Sequence, residues 1–271
     1  KYIDRYDITD TGSTDGTQDL IKKTMEELNI PGEVHQSDWK GFGDHNGKTG
    51  SRTESLRNAQ KSDADYAWVI DADDYMQGEF KYPDVMDADA YAISMGRAEF
   101  GWWRNQIFKL EHDWNYIGVL HEYADCSSKP REEMNFGKIT GDYRVIARTE
   151  GARNVGINPI DKYKRDAETI EAALVDEPKN ERYRFYLAQS YFDSQQWQKA
   201  LDAYEARVEL GGWPEEVYYS LLRVAILKGM LERSTEETAQ AFLDCFNHRP
   251  SRAEPLWFLA RLYRMKMCLF S

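Results

Sequence analysis

"DTGSTDGT", Asp10 to Thr17, decides how the N-terminal half is read, and three chemistries compete for it. Its opening Asp-Thr-Gly suits the catalytic loop of an aspartic protease. Its alternating oxygen ligands suit a calcium loop, and a strand-turn-helix junction can use the same letters to hold a nucleotide. A monomeric aspartic protease brings two Asp-Thr/Ser-Gly loops together so that two carboxylates share one proton. The chain has no second such loop, leaving only homodimeric pairing for that reading. An EF-hand loop wants oxygen donors at its first, third and fifth positions, Gly at the sixth and Glu at the twelfth. Here Gly12 stands third and Asp15 sixth. What remains is a turn in which Gly12 and Gly16 permit tight geometry, Asp15 or Thr17 caps a helix, and Asp10 projects from a strand end. A capped turn with no ligand reads the same way.

The flanks fit such a junction. Ile3 to Thr9 carries Tyr6 and Ile8 on one pleat face, which predicts a short strand. From Thr17 to Asn29, Leu20, Ile21, Met25 and Leu28 recur at helical spacing until Pro31-Gly32 stops the pattern. A strand is expected over Glu33 to Gln36 and a helix over Thr53 to Lys61. In "DYAWVIDADD" the apolar run Tyr66 to Ile70 ends in acids, as in a buried parallel strand whose C-terminal end opens on a ligand crevice. Residues 88 to 150 look mixed, with strand-like pieces at Tyr91 to Ser94, Gln106 to Leu110 and Tyr143 to Ala147.

After Asn158-Pro159 the pattern turns to helix upon helix. Within "RFYLAQSYFDSQQWQKALDAYEARVEL", Leu187, Ala188, Tyr191, Ala200 and Tyr204 fall where a tetratricopeptide repeat places its packing residues. Ala188 and Ala200 would let two antiparallel helices approach closely. Further helices are expected near Asp161 to Asp176, Glu215 to Gly229, Thr235 to Phe246 and Ala253 to Met267, since a single unit cannot bury its own face.

With 35 Lys and Arg against 47 Asp and Glu, the formal charge of -12 opposes phosphate backbones and anionic lipid, so no nucleic-acid partner is expected. Nothing approaches the roughly 18 consecutive apolar residues of a membrane span. Cys126, Cys245 and Cys268 are scattered without CxxC spacing, so neither a disulfide framework nor a zinc site follows. A cytoplasmic location is the expectation.

A second acidic cluster bears on the first. Asp71, Asp73 and Asp74 end another strand, and in a parallel sheet they would open on the same edge as Asp10. Several carboxylates in one crevice repel one another unless a cation neutralises them, which points to a divalent ion with a diphosphate.

With "DTGSTDGT", "SRTESLRNA" (Ser51 to Ala59), "VIDADD" (Val69 to Asp74) and "RNQIFKLEHDWNYIGVLHEY" (Arg104 to Tyr123), the chain resembles glycosyltransferase family 2, inverting enzymes of the GT-A fold. Its helical half is similar to an extension carried by some of these transferases. The resemblance implies an α/β, mostly parallel Rossmann-like domain over residues 1–156 with its first strand missing, then an all-α tetratricopeptide-like domain over 157–271. It implies that Asp10, Gly12, Asp15, Arg52 and Asp71 hold a nucleotide-diphosphate sugar, UDP-sugar being favoured. Asp73, Asp71 and His121 would hold Mn or Mg, and Glu122 or Asp74 would act as catalytic base. The His121-Glu122 pair also reads as structural, and Trp102, Trp103, Trp114 and Tyr116 as either a sugar-stacking wall or core. The acceptor stays open. The alternative from another class is a decayed transferase domain that serves, with its helical repeats, as a protein-binding scaffold. Two departures stand beside the resemblance: the chain begins after the expected first strand, and "GDHNGKTGSR" lengthens the loop before Arg52.

Overall fold

The computed structural model describes residues 2–148 and 156–267, and the chain divides into two compact units, Lys1–Val155 and Gly156–Ser271. In the first unit the opening stretch folds as strand β1 (Tyr6–Asp10), helix α1 (Thr17–Glu27) and strand β2 (Gly32–Gln36). β1 and β2 pair in parallel, Tyr6 opposite Gly32 and Asp10 opposite Gln36. Gly32 is needed there because a Cβ would stand 2.0 Å from the Tyr6 carbonyl oxygen. Helix α2 (Ser51–Ala59) follows.

Beyond α2 come β3 (Tyr66–Trp68), β4 (Tyr75–Gly78), β5 (Ala90–Arg97), β6 (Phe100–Lys109), β7 (Trp114–Ile117), β8 (Tyr123–Cys126), β9 (Phe136–Lys138) and β10 (Tyr143–Ile146). β1 and β2 stand apart from the main sheet, which has six strands in the order β3-β6-β5-β10-β4 with β9 on β5. Its β3–β6, β5–β6 and β10–β4 pairs are antiparallel; β5–β10 and β5–β9 are parallel. β7 and β8 form a separate antiparallel hairpin.

The expected mostly parallel, Rossmann-like GT-A sheet is therefore corrected to a mixed one. The physical reason is connectivity. Parallel neighbours need a crossover of a dozen or more residues, usually a helix, and among the described residues no α-helix lies between Ala59 and Pro159. Tyr66 to Ile70, expected as a buried parallel strand, supplies only the half-buried antiparallel β3, and Ile70 is 52% exposed. Nor does α1 cover a sheet: none of its residues is buried, and Leu20 and Leu28 face solvent.

The sheet carries a core on each face because successive residues of β6 point opposite ways. Ile107 joins Phe80, Tyr91, Ile93, Met95, Ile139, Tyr143 and Val145 on one face. Phe108 joins Ala90, Trp114, Tyr116 and Leu56 of α2 on the other.

The second unit is all-helical: α3 (Pro159–Asp176), α4 (Glu181–Asp193), α5 (Trp197–Glu209), α6 (Pro214–Met230), α7 (Thr235–His248) and α8 (Glu254–Met267). Each packs on the next. Asn158, Asn180 and Ser234 cap α3, α4 and α7 by accepting backbone N–H groups that a helix start leaves unpaired. Ala188 and Ala200 have no exposed surface, as a close α4–α5 contact requires. Among the described residues no helix is long and apolar enough to cross a membrane. Cys126 and Cys245 are free thiols; Cys268 lies outside the described residues.

Candidate functional site

Asp10 ends β1 and organises the turn that follows it. Its Oδ1 accepts hydrogen bonds from Gly12 N (3.1 Å), Ser13 N (2.9 Å) and Gln18 Nε2 (2.8 Å). The Ser13 hydroxyl, more than the backbone donors and Gln18, holds this buried carboxyl down to about 2. Gly12 and Gly16 have φ of 110° and 84°, a region where a Cβ is strained. Asp15 accepts from Thr17 N (3.1 Å) and Thr17 Oγ1 (2.6 Å), so the Asp15 side chain, rather than the cap residue Gly16, satisfies the start of α1. Asp10, Gly12 and Asp15 thus belong to one self-contained turn.

Arg52 gathers a second group of the predicted residues. Arg52, in the first turn of α2, sets Nη2 2.6 Å from Asp71 Oδ1. Its Nε lies 2.8 Å from Glu122 Oε1 without the angle of a hydrogen bond, so that contact is an ion pair by proximity. The Arg52 guanidinium also lies 5.7 Å from the Tyr116 ring centre. Burial raises the Tyr116 phenol to about 12, with the Arg52 and Arg104 charges opposing this and those of Asp71 and Glu122 adding to it. Tyr116 Oη is buried and has no hydrogen-bond partner among the described residues.

Residues that the sequence did not single out hold this group together. Thr53, fully buried, accepts from Tyr116 N at 2.8 Å. Asp44, in the long loop before Arg52, donates its N–H to Tyr116 O, accepts from Gly118 N (3.0 Å) and takes Gly50 N on its carboxylate (2.9 Å). That loop is therefore a brace for α2. Thr53 alone carried a readable signal, as a polar residue on the otherwise packed stripe it shares with Leu56.

Asp74 closes a turn with its N–H on Asp71 O (3.0 Å) and accepts from Arg148 N (3.3 Å). Burial, then the neighbouring Asp71 charge, raises its carboxyl from 3.8 to about 6, with Asp73 adding to this and the Arg148 N–H and Arg104 opposing it. The fold thus keeps a proton that the unfolded chain releases between pH 4 and 6. Stability falls as pH rises through that window, and the penalty is complete above pH 6. Asp74→Asn should raise stability by roughly 1 kcal/mol at pH 8, once solvent screening is allowed for, and by nothing at pH 3.5. Urea unfolding at the two pH values checks this; an equal gain at both would place its cause elsewhere.

Asp71, Asp73 and His121 do not bring three donor atoms within 4.8 Å of one another. Asp71 is held by Arg52, and His121 is exposed at φ 53°. Among the described residues the trio that meets this spacing is Asp89, Glu111 and His112. Lys129 Nζ already neutralises Asp89 there at 2.7 Å, so the trio, in which Asp89 is buried and Glu111 exposed, is a structural network. Of the ring candidates, Trp114 and Tyr116 are core, Trp102 packs against the opposite core, and Trp103 is exposed with Lys138 Nζ 3.7 Å from its centre.

No protein-family model and no curated protein matches the chain. Solved structures that match include MamA MSR-1, at 19% identity and a TM-score of 0.34 over 38% of this chain and 57% of that one. MamA AMB-1 matches at 20% identity and a TM-score of 0.33, over 38% and 58%. The chain therefore spans less than two thirds of those proteins, and the likeness is too slight to transfer a fold or an activity. The resemblance to glycosyltransferase family 2 is corrected on these grounds. The sheet is mixed and largely antiparallel rather than the mostly parallel one the resemblance implied, and no family model matches. The GT-A fold that it implied is corrected with it.

Proposed function

We propose that the helical unit is a protein-binding scaffold whose docking face is built by α4 and α6. The supporting observation is a run of half-buried rings and guanidinium groups along these two helices. Phe185 and Tyr219 meet at 5.6 Å between ring centres. Arg223 lies 4.3 Å from the Phe192 centre and 4.8 Å from that of Tyr219, and its Nε donates to Tyr219 Oη at 2.9 Å. Arg182 stacks on Tyr186 at 4.9 Å. Phe185 and Phe192 are seven residues apart, as are two positions on one helix face, and Tyr219 and Arg223 are four apart. Tyr and Arg are among the residues in which protein interfaces concentrate their binding energy. Peptides selected from a displayed library against the whole chain should bind Arg223→Ala and Tyr219→Ala at least about tenfold more weakly, roughly 1.4 kcal/mol each. Undiminished binding to both variants would remove this face from the function.

A second reading, an enzyme acting on an anionic substrate, is favoured by the Tyr116 hydroxyl, unpartnered among the described residues, on a ring that Arg52 approaches to 5.7 Å. A buried phenol without a partner costs about 1–3 kcal/mol, which a bound ligand group would recover. Arg52 and Arg104 suit an anion, and Asp74, near pH 6, suits proton transfer. Calorimetry with UDP and with pyrophosphate, each with and without Mn, tests it: saturable heat supports the reading, and silence in all four titrations removes it.

A further inference from the structure

The geometry points to a second docking surface, on α8, that takes an acidic amphipathic helix. It goes beyond the scaffold reading above, which rests on α4 and α6. Trp257, Ala260, Arg261, Arg264 and Met265 line one depression of about 280 Å³. Their spacing of i, i+3, i+4, i+7 and i+8 makes them a single stripe along two turns of helix. All five are exposed, Trp257 at 56% and Met265 at 66%. α8 is anchored through Pro255, which is buried, and through Phe258, which stacks on Phe242 of α7 at 5.7 Å and meets the Trp257 ring edge-on at 4.8 Å, so that the Trp257 end of the stripe is held in place.

The stripe has a shape and a charge. Ala260 makes the dip, with Trp257 and Met265 as its apolar ends, so one large aliphatic or aromatic side chain of a crossing helix fits between them. Arg261 lies over the Trp257 ring at 4.8 Å, and Arg264 follows one turn away along the same stripe. In a chain of net charge -12, residues 249–266 hold five basic side chains and one acidic one, Glu254. Arg249 and Arg252 among them are engaged by Glu215 and Glu254. Charge complementarity therefore calls for carboxylates flanking the partner's apolar residue, opposite Arg261 and Arg264. A membrane surface fits less well. A helix lying in a bilayer interface keeps its cations on the face opposite its rings, whereas Arg and Trp here share one stripe.

The test uses the full chain and a synthetic helix of about 18 residues with Leu at i, i+3, i+4 and i+7 and Glu elsewhere. By fluorescence anisotropy it should bind with a Kd of order micromolar. Arg264→Glu and Ala260→Trp should each weaken it about tenfold with the circular dichroism spectrum unchanged. Arg223→Ala should leave it unaffected, so that failure here and failure of the α4–α6 reading are told apart. Any of four results would overturn the proposal: no binding, equal binding of a version with Lys in place of Glu, binding to phosphatidylserine vesicles but not to the peptide, or self-association of the chain that Arg264→Glu abolishes.

Discussion

Glu216→Ala should destabilise the helical unit by about 3–5 kcal/mol, the range for removing one partner of a buried ion pair. Arg207 has no exposed surface and Glu216 is 6% exposed; they meet at 2.9 Å, Nη2 to Oε2. Nη1 donates to Gly211 O, and Glu181 Oε2 lies 3.8 Å from Nη2. One guanidinium thus joins α5, the turn after it and the start of α6. Its Nε has no hydrogen-bond partner among the described residues, so the cation has little in reserve once Glu216 is gone. At an m-value of about 2 kcal/mol/M the urea midpoint should fall by roughly 2 M with m unchanged. The double variant Arg207→Met, Glu216→Leu should recover much of the loss, because an apolar pair of similar volume carries no desolvation cost. If Glu216→Ala moved the midpoint by less than about 0.5 M, the pair would have to be solvated in solution.

What could be read from the sequence was what is decided locally. The strand, turn and helix around Asp10 follow from residues within eight positions of one another: glycines where φ is positive and Asp side chains within reach of the next N–H groups. The helices after Asn158 follow from their apolar period and their Asn and Ser caps. The sheet was misread because Tyr66 to Ile70 looks the same whether its neighbour is parallel or antiparallel. Its partner in the fold, Ile107 to Lys109, lies some 40 residues downstream. A clue was present, as the lack of a helical pattern after Ala59 leaves no helical crossover, and the two parallel pairs that do form, β5–β9 and β5–β10, are connected through other strands and loops instead.

The site divides along the same line. Asp71 and Asp74 were singled out as acids at a strand end, Arg52 and Glu122 only through the resemblance to glycosyltransferase family 2. Their actual pairing, with one arginine between two acids, is a non-local fact. So are Asp44 and Thr53, whose bonds to Tyr116 span more than 60 residues. Asp89 gave only the faint signal of an acid between two alanines at the head of a buried strand.

Asp89→Asn carries the largest expected effect in the first unit. The side chain is 7% exposed and takes His112 Nε2 at 2.6 Å on Oδ1, with Lys129 Nζ and Asn135 N each at 2.7 Å on Oδ2. Its own backbone pairs with Asn135 O and Lys109 N, so side chain and main chain together fasten the start of β5 to the segment before β9 and the end of β6. Burial by itself would raise this carboxyl, but Lys129, then the Asn135 N–H and His112, outweigh it and hold the group far below the usual carboxylate range. A depressed value means that the stabilisation is complete above the unfolded carboxyl's ordinary 3.8 and is lost as pH falls below it. At pH 7 the asparagine leaves the half-buried Lys129 facing a neutral amide, and the cost should be about 1.5–3 kcal/mol, the range for hydrogen bonds to a charged group. As pH drops from 4 toward 2 the wild type gives up this advantage and the two unfolding curves should approach each other. Denaturant melts across that range decide the matter: a gap of constant size down to pH 2 would mean that Asp89 acts through shape rather than charge, and a negligible gap at pH 7 would mean that Lys129 and His112 find other partners.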